Sequence, residues 1–163
     1  MGMDVSGRNP STEEGYYFRA NCWSWRPIHA LCEITKHTHK LKFDTKGWDV
    51  NDGKGLRNQN QCDKLADALE DILKHHFHKI TDENQEIEFN LGCWVNMDNS
   101  FVTQNMNSRI SSQVDEKYPY GTFITEPIVL DNGMRVKSAY TTSISFMKEW
   151  ITFLRGCGGF QIF

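Results

Sequence analysis

The densest group of chemically distinctive residues lies between Tyr16 and Arg26, where aromatic and arginine side chains are interleaved. Aromatic rings can stack on a nucleobase, and guanidinium groups can pair with phosphate or carboxylate. The same residues have a structural interpretation, which is the commoner one, because tryptophan mostly builds cores and arginine often packs on aromatic rings. As a binding segment, this stretch supplies four candidate ligand-binding residues: Arg19, Trp23, Trp25 and Arg26.

A glycine-rich loop at 49–56 is the second candidate site. It does not match a calcium loop, because its glycine comes one position early and Asn60 stands where a glutamate is needed. It also lacks the GxxxxGK[ST] spacing of a Walker loop. A glycine-rich turn before a helix can still hold an anion on its backbone amides. The candidate ligand-binding residues here are Asn51, Asp52, Gly53 and Gly55.

The histidines are clustered but do not predict a metal site. Five of the six lie at 37–39 and 75–78. Helical geometry puts His76 near the centre of an apolar stripe and His75 at its edge, and it turns His78 away, so the three do not converge on one ion. His76 is instead expected to pack inward beside Leu69, Ile72 and Leu73.

No pattern identifies a catalytic residue. The GxSxG signature is absent, and His29 and Cys32, although three positions apart on a predicted helix, are more often packing neighbours than a catalytic pair. The carboxylates show no spacing that singles out glycosidase or nuclease chemistry. The sequence therefore predicts no catalytic group, metal or cofactor, and a small hydrolase or nuclease stays an alternative without a motif.

Composition excludes several classes of protein. A net charge of -3 and a pI near 6.1 do not provide the basic surface that duplex nucleic acid requires. No apolar run approaches the roughly 20 residues that cross a bilayer, and the first ten residues do not resemble a secretion signal. We therefore expect a cytoplasmic protein without membrane contact. Its five cysteines contain no CxxC pair and predict free, mostly buried thiols: Cys22, Cys32, Cys62, Cys93 and Cys157.

Periodicity predicts the elements of the N-terminal half. Alternation at Met3–Val5 indicates a short strand. Pro27 fits the first turn of a helix, since Ile28 and Leu31 follow at helical spacing. The clearest element is a helix over about 61–80, which carries a long apolar stripe and has Asn58 or Asn60 as its cap.

The C-terminal half predicts further elements around an unpatterned segment. Ile87 to Cys93 alternates as a half-buried strand, and Asn132-Gly133 between two apolar runs indicates a hairpin. A helix is predicted at 145–155 with Gly156 as its stop, followed by a short terminal strand. The fold class is thus α+β: a single compact domain over residues 1–163, with a small, mostly antiparallel sheet packed against two or three helices. An irregular insertion is predicted at about 96–126.

Three blocks of the sequence carry a family resemblance. The first block reads Met1-Gly2-Met3-Asp4-Val5-x-Gly7-x-Asn9-Pro10 and continues as Gly15-x-Tyr17-Phe18-Arg19-Ala20-Asn21-x-Trp23-x-Trp25-Arg26-Pro27. The others read Asn51-Asp52-Gly53-x-Gly55-Leu56 and Phe153-Leu154-Arg155-x-Cys157-Gly158-Gly159-Phe160-x-Ile162. Together they resemble a family of small proteins from bacterial viruses and some bacteria. The resemblance implies a virus-associated accessory protein in the host cytoplasm and brings no activity with it.

These observations lead to one functional hypothesis and one main alternative. The hypothesis is a non-catalytic binding protein that sequesters or senses a small anionic, nucleotide-like ligand, with the three blocks meeting in space to form the site. The alternative is a protein-interaction module that inhibits a host enzyme, with the aromatic segment as its anchor surface. A homo-oligomer is compatible with both.

Overall fold

The computed structural model describes residues 2–88, 128–129, 132–133, 135–136 and 140–163. Within these residues lie three helices beside a small antiparallel sheet, which confirms the predicted α+β fold class. The elements in chain order are β1 (Gly2–Gly7), β2 (Tyr17–Asn21), α1 (Cys22–Thr38), α2 (Gln59–His76), β3 (Ile87–Glu88), β4 (Ile128–Val129), β5 (Arg135–Val136), β6 (Thr141–Thr142), α3 (Ile144–Gly156) and β7 (Phe160–Ile162).

The main sheet has three strands in the order β2, β1, β7, and both pairings are antiparallel. Val5 in the central strand lies opposite Phe18 on one side and Ile162 on the other, and all three side chains are buried. The adjacent pair, Asp4 and Arg19, lies on the more exposed face. This two-residue alternation confirms the predicted N-terminal and C-terminal strands.

Helix α1 begins earlier than its periodicity predicts. The side chain of Asn21 caps it by accepting a hydrogen bond from the Ser24 backbone N–H at 2.8 Å. Pro27, predicted in the first turn, therefore lies in the second turn. It cannot donate a hydrogen bond to the carbonyl of Trp23, four residues earlier, but Trp23 is exposed at the start of the helix, where water can replace that bond.

Helix α2 confirms most of the helix predicted at 61–80. Asn58 is its cap, with a side chain that accepts a hydrogen bond from the Gln61 backbone N–H at 3.0 Å. The helix ends at His76, and Phe77 at the C-cap is buried. The predicted inward position of His76 is wrong: Phe77 fills the last core position of the stripe, and His76 is exposed.

The C-terminal elements agree with their predictions where the structure describes them. Helix α3 follows a Ser143 cap and ends at Gly156, and β4 and β5 form the hairpin predicted around Asn132-Gly133. Strand β3 covers the start of the predicted strand and pairs antiparallel with β6. The rest of that strand, from residue 89 onward, and the insertion predicted at 96–126 lie outside the described residues.

Trp150 of α3 lies at the centre of the core. Its ring centroid is 5.1–5.3 Å from the centroids of four buried aromatic rings: Phe18, Trp25, Phe153 and Phe160. These rings belong to β2, α1, α3 and β7. One indole ring therefore joins the inner face of the sheet to two helices.

Strand β7 is hydrogen-bonded along both edges. One edge pairs with β1, and the other pairs with residues 53–56 of the loop before α2. The Gly53 N–H donates to the Ile162 carbonyl at 2.8 Å, and the Ile162 N–H donates to the Lys54 carbonyl at 2.9 Å. The Phe160 N–H donates to the Leu56 carbonyl at 2.9 Å. The loop thus covers an edge that would otherwise present unpaired backbone groups.

Gly55 is required where this loop meets β7. Its φ is +156°, and a Cβ at this position would lie 2.1 Å from the Phe160 carbonyl oxygen. We expect Gly55→Ala to lower the free energy of unfolding, measured by urea denaturation, by about 2 kcal/mol or more, because the loop and the strand must separate. Gly133→Ala is the control, since Gly133 has a φ of +80° and no atom of the described residues lies within 4 Å of its Cβ position. Equal losses in the two variants would contradict close packing as the cause.

Candidate functional site

A cleft of about 720 Å³ opens in the segment that connects α1 to α2. One wall is the turn 43–48, the other is the segment 52–57, and Arg8 and Gln61 complete the lining. We refer to it as the cationic cleft. Its volume lies in the range of about 300–1,000 Å³ that is typical of small-molecule sites.

Helix α1 holds the wall formed by the turn 43–48. The Trp25 indole N–H donates to the Trp48 carbonyl, with 2.6 Å between the atoms. His29 Nε2 lies 3.1 Å from the Thr45 carbonyl oxygen, and the Thr45 hydroxyl donates to the Glu33 carboxylate at 3.1 Å. The turn is therefore fixed from its buried side, which leaves its outer side open to the cleft.

The charge of Glu33 strengthens these contacts between α1 and the turn 43–48, and we refer to its bonds with His29 and Thr45 as the Glu33 anchor. Partial burial alone would raise the pKa of Glu33, but hydrogen bonds from His29 and Thr45 outweigh burial and hold the pKa below its usual value. His29 Nε2 also lies 3.4 Å from the Glu33 carboxylate. The carboxylate is therefore ionised at neutral pH and orders the groups around it.

Arg8 joins the other wall to the sheet. Its Nε–H is shared between the carbonyl oxygens of Leu56 and Phe160, each 3.1 Å away, and its backbone N–H donates to the Gly159 carbonyl at 2.8 Å. A guanidinium group carries four further N–H donors on its two terminal nitrogens. In the part of the chain that the structure describes, those four donors of Arg8 have no protein partner, and the residue is exposed at the cleft.

Positive side chains dominate the cleft. Four line it: Arg8, Lys46, Lys54 and Arg57. None of them has a carboxylate within 4.0 Å among the described residues. Two carboxylates also line the cleft, but each is already used in a turn: Asp44 accepts the Lys46 backbone N–H at 2.9 Å, and Asp52 accepts the Lys54 backbone N–H at 3.1 Å. Four cations and two carboxylates leave an excess of two positive charges.

The N-terminus of α2 adds to the positive potential. Gln61, in the first turn of the helix, lines the cleft, and this turn contains no acidic residue. The helix dipole therefore places partial positive charge near the cleft without a compensating carboxylate in that turn.

An aromatic surface forms another part of the lining. Phe43 is half-buried, and its ring is nearly parallel to that of Trp48, with 8° between the planes and 6.5 Å between the centroids. Trp48 is buried and contacts Phe160 of β7 behind the cleft, with centroids 5.0 Å apart. Phe43 is thus a ring with a rigid support, of the kind on which a planar ligand can stack.

The structure brings three of the four predicted loop residues to the cleft. Asp52, Gly53 and Gly55 line it. Asn51 lies outside the lining, with its side-chain nitrogen 3.5 Å from the Gly2 carbonyl oxygen.

The four predicted residues of the aromatic segment lie elsewhere and do not form one group. Arg19 is on the exposed face of the sheet, 3.6 Å from the Asp4 carboxylate. Trp25 is buried in the core, as the packing interpretation requires. Trp23 is 52% exposed and lies with Arg26 around Tyr140: the Trp23 centroid is 5.3 Å from that of Tyr140, and the Arg26 guanidinium lies 5.0 Å above the Tyr140 ring.

Sequence reasoning missed the four cations of the cleft and its half-buried aromatic ring: Arg8, Lys46, Lys54, Arg57 and Phe43. A usable signal was present for three of them, because a cation stands next to a glycine at Gly7-Arg8, Lys46-Gly47 and Gly53-Lys54-Gly55. A glycine lets the backbone turn sharply, so an adjacent cation can be presented at the mouth of a turn. The same pattern at Arg155-Gly156 lies outside the cleft, so it indicates candidate positions but does not identify the site by itself.

The described ranges contain neither a metal-binding cluster nor a membrane-spanning helix. No group of three or more His, Cys, Asp or Glu side chains there is arranged to hold a metal ion. None of the helices in those ranges is both long and apolar enough to cross a membrane.

Comparisons with known protein families, with curated proteins and with solved structures find no match to this chain. The cleft is therefore interpreted from its own chemistry.

The two tryptophans of the aromatic segment should differ sharply in their effect on stability. Trp25→Ala removes a buried ring and the hydrogen bond to the Trp48 carbonyl, and we expect it to cost roughly 3–5 kcal/mol of unfolding free energy. Trp23→Ala is the matched control, since its ring is half exposed, and should cost about 1 kcal/mol or less. Urea denaturation measures both. Similar losses of unfolding free energy in the two variants would contradict burial as the cause of the expected difference.

The Glu33 anchor should make stability depend on acid pH. Because the pKa of Glu33 is lowered in the folded protein, its contribution is present above the ordinary value of 4.5 and is lost as the pH falls through the folded-state pKa. Glu33→Gln should therefore lower the melting temperature at pH 7, and its difference from wild type should shrink below pH 4.5. Glu14→Gln, in the exposed loop before β2, is the control and should show no such trend. A constant deficit of Glu33→Gln from pH 7 to pH 3 would contradict the ionic anchor.

Proposed function

We propose that this protein is an accessory binding protein that sequesters or senses a small anionic, nucleotide-like ligand in the cationic cleft. The observation that carries the proposal is the convergence of Arg8, Lys46, Lys54 and Arg57 on one cleft with no carboxylate partner among the described residues. The resemblance to proteins of bacterial viruses supports the accessory role.

The charges of the cleft favour an anion with more than one negative charge. Clustered cations repel one another, and each gains from an oxyanion that accepts its hydrogen bonds. Arginine suits a phosphate especially well, because its planar fork can donate two parallel hydrogen bonds. The terminal nitrogens of Arg8 are available for such a pair, since among the described residues its guanidinium group has protein partners at Nε–H alone.

The rest of the lining favours a ligand with a planar ring. Phe43 offers a ring surface at the same cleft as the cations, and base stacking on an aromatic side chain contributes about 1–3 kcal/mol. A cleft of about 720 Å³ is large enough for a nucleotide. Stacking and charge pairing use different parts of such a ligand, so the two contributions can act together.

The lining supports binding rather than turnover. The described residues around the cleft include no histidine, cysteine or serine that could act as a nucleophile. Its two carboxylates, Asp44 and Asp52, each accept a backbone N–H within their own turn. A ligand should therefore be released unchanged.

The direct test is to identify what the protein carries. Purified protein is heat-denatured, and mass spectrometry of the released small molecules should detect a phosphorylated compound. Binding is then measured by calorimetry with AMP, ADP, ATP and inorganic pyrophosphate as probes. For the tightest probe, Lys54→Gln and Arg57→Gln should each raise the Kd about 10- to 100-fold, because each removes a charged hydrogen-bond donor worth about 1.5–3 kcal/mol.

Lys64→Gln, an exposed lysine of α2 outside the cleft, is the matched control and should leave the Kd unchanged. The Kd should also rise with salt, since ionic contacts are screened. Equal changes in Kd for all three substitutions would mean that the probe binds outside the cationic cleft. Absence of a released phosphorylated compound, together with no measurable Kd for any probe, would contradict the proposed function.

A further inference from the structure

Two cysteine sulfurs face each other in the core. The structure describes four of the five cysteines, Cys22, Cys32, Cys62 and Cys157, and all four are free thiols, as predicted. Cys62 Sγ and Cys157 Sγ lie 3.5 Å apart, and both residues are fully buried. No other pair of the described cysteines has its sulfur atoms in contact. The two residues are 95 positions apart in the chain, so their proximity is a product of the fold.

The backbone on both sides of this pair is held firmly. Cys62 lies in α2, and its N–H donates to the carbonyl of the cap residue Asn58 at 3.3 Å. Cys157 directly follows α3, and its carbonyl accepts the Asn9 N–H at 3.2 Å. The next residue, Gly158, donates its N–H to the Gln59 side chain at 2.7 Å. A Cβ at Gly158 would lie 2.1 Å from the Asn9 carbonyl oxygen, so the turn after Cys157 cannot be built differently without a shift.

We propose that Cys62 and Cys157 are a redox-active dithiol that closes to an intramolecular disulfide when the protein meets a low-molecular-weight disulfide such as glutathione disulfide. One cysteine thiolate attacks the small disulfide, breaks its S–S bond and releases one small thiol. The second cysteine then attacks the mixed disulfide, forms the Cys62–Cys157 bond and releases the second small thiol. Two protein thiols are oxidised and one small disulfide is reduced to two thiols, so atoms and electrons balance.

The geometry suits this closure. A disulfide needs its sulfurs about 2.0 Å apart, so closure must bring the two sulfurs about 1.5 Å nearer than the 3.5 Å that now separates them. Contact with Cys62 lowers the pKa of Cys157, while contact with Cys157 and burial raise the pKa of Cys62. Whichever thiolate attacks the small disulfide, the other sulfur lies 3.5 Å away and can attack the mixed disulfide in the second step.

Burial sets the rate of the reaction. Neither sulfur is accessible in the folded structure, and the segment after α3 is hydrogen-bonded on both sides, so exchange waits for an opening that disrupts part of the core. Once formed, the bond ties α2 to the turn at 157–159, whose Gly159 carbonyl accepts the Arg8 N–H. The crosslink thus fixes one boundary of the cationic cleft. This inference goes beyond the proposed function and holds whether or not the cleft binds an anion.

The test compares the protein after prolonged incubation in reduced and oxidised glutathione buffers. Peptide mapping without reduction should find one crosslink, between the peptides that contain Cys62 and Cys157. The oxidised protein should melt higher than the reduced protein, by on the order of 10 °C, because the bond closes a long loop. Low concentrations of urea should speed the reaction, since they favour local opening.

Cys62→Ala and Cys157→Ala should each abolish both the crosslink and the rise in melting temperature. Cys32→Ala is the matched control: it truncates another buried cysteine and should leave both effects intact. Peptide mapping of the unaltered protein keeps the test valid even if a variant fails to fold. The proposal is overturned if the pair stays reduced in oxidised glutathione, if mixed disulfides with glutathione are the sole products, or if the crosslink involves another cysteine.

Discussion

The structure depends on a three-residue strand that is hydrogen-bonded along both edges. Strand β7 pairs with the first strand of the chain on one side and with residues 53–56 on the other. The Arg8 Nε–H spans the second junction by binding the carbonyls of Leu56 and Phe160. The N-terminal strands, the loop at 53–56 and the C-terminal strand therefore meet in one backbone network, and the cationic cleft lies at its edge.

Phe160 connects that network to the core. Its backbone N–H holds the loop at Leu56, while its ring lies 5.3 Å from Trp150 and 5.0 Å from Trp48. The cleft wall is thus supported by the same aromatic packing that joins the sheet to the helices. A cleft built on packed aromatic side chains and backbone hydrogen bonds is preorganised, which reduces the entropy lost when a ligand binds.

Local patterns predict most of the elements, but not the site. The helix α2, the Asn132-Gly133 hairpin and the terminal strands depend on residues a few positions apart, which periodicity can detect. The Arg8 bond to Phe160 spans 152 positions, and no local window contains it. The same limit explains why the sequence pattern assigns the aromatic segment to a binding site. Trp25 is buried because α1 already begins at Cys22, after the Asn21 cap. The apolar periodicity that indicates this helix starts only after Trp25.

The groups that hold the cleft together differ from the groups that face into it. Backbone atoms, Glu33 and the Arg8 Nε–H fix the walls, whereas the ammonium groups of Lys46 and Lys54 make no hydrogen bond to any described residue. The fold gains nothing from grouping such charges, and their mutual repulsion lowers its stability. An anion that binds the native cleft removes this repulsion and stabilises the folded state in proportion to its occupancy. The excess positive charge therefore lowers the stability of the fold, and under the proposed function a bound anion would compensate for it.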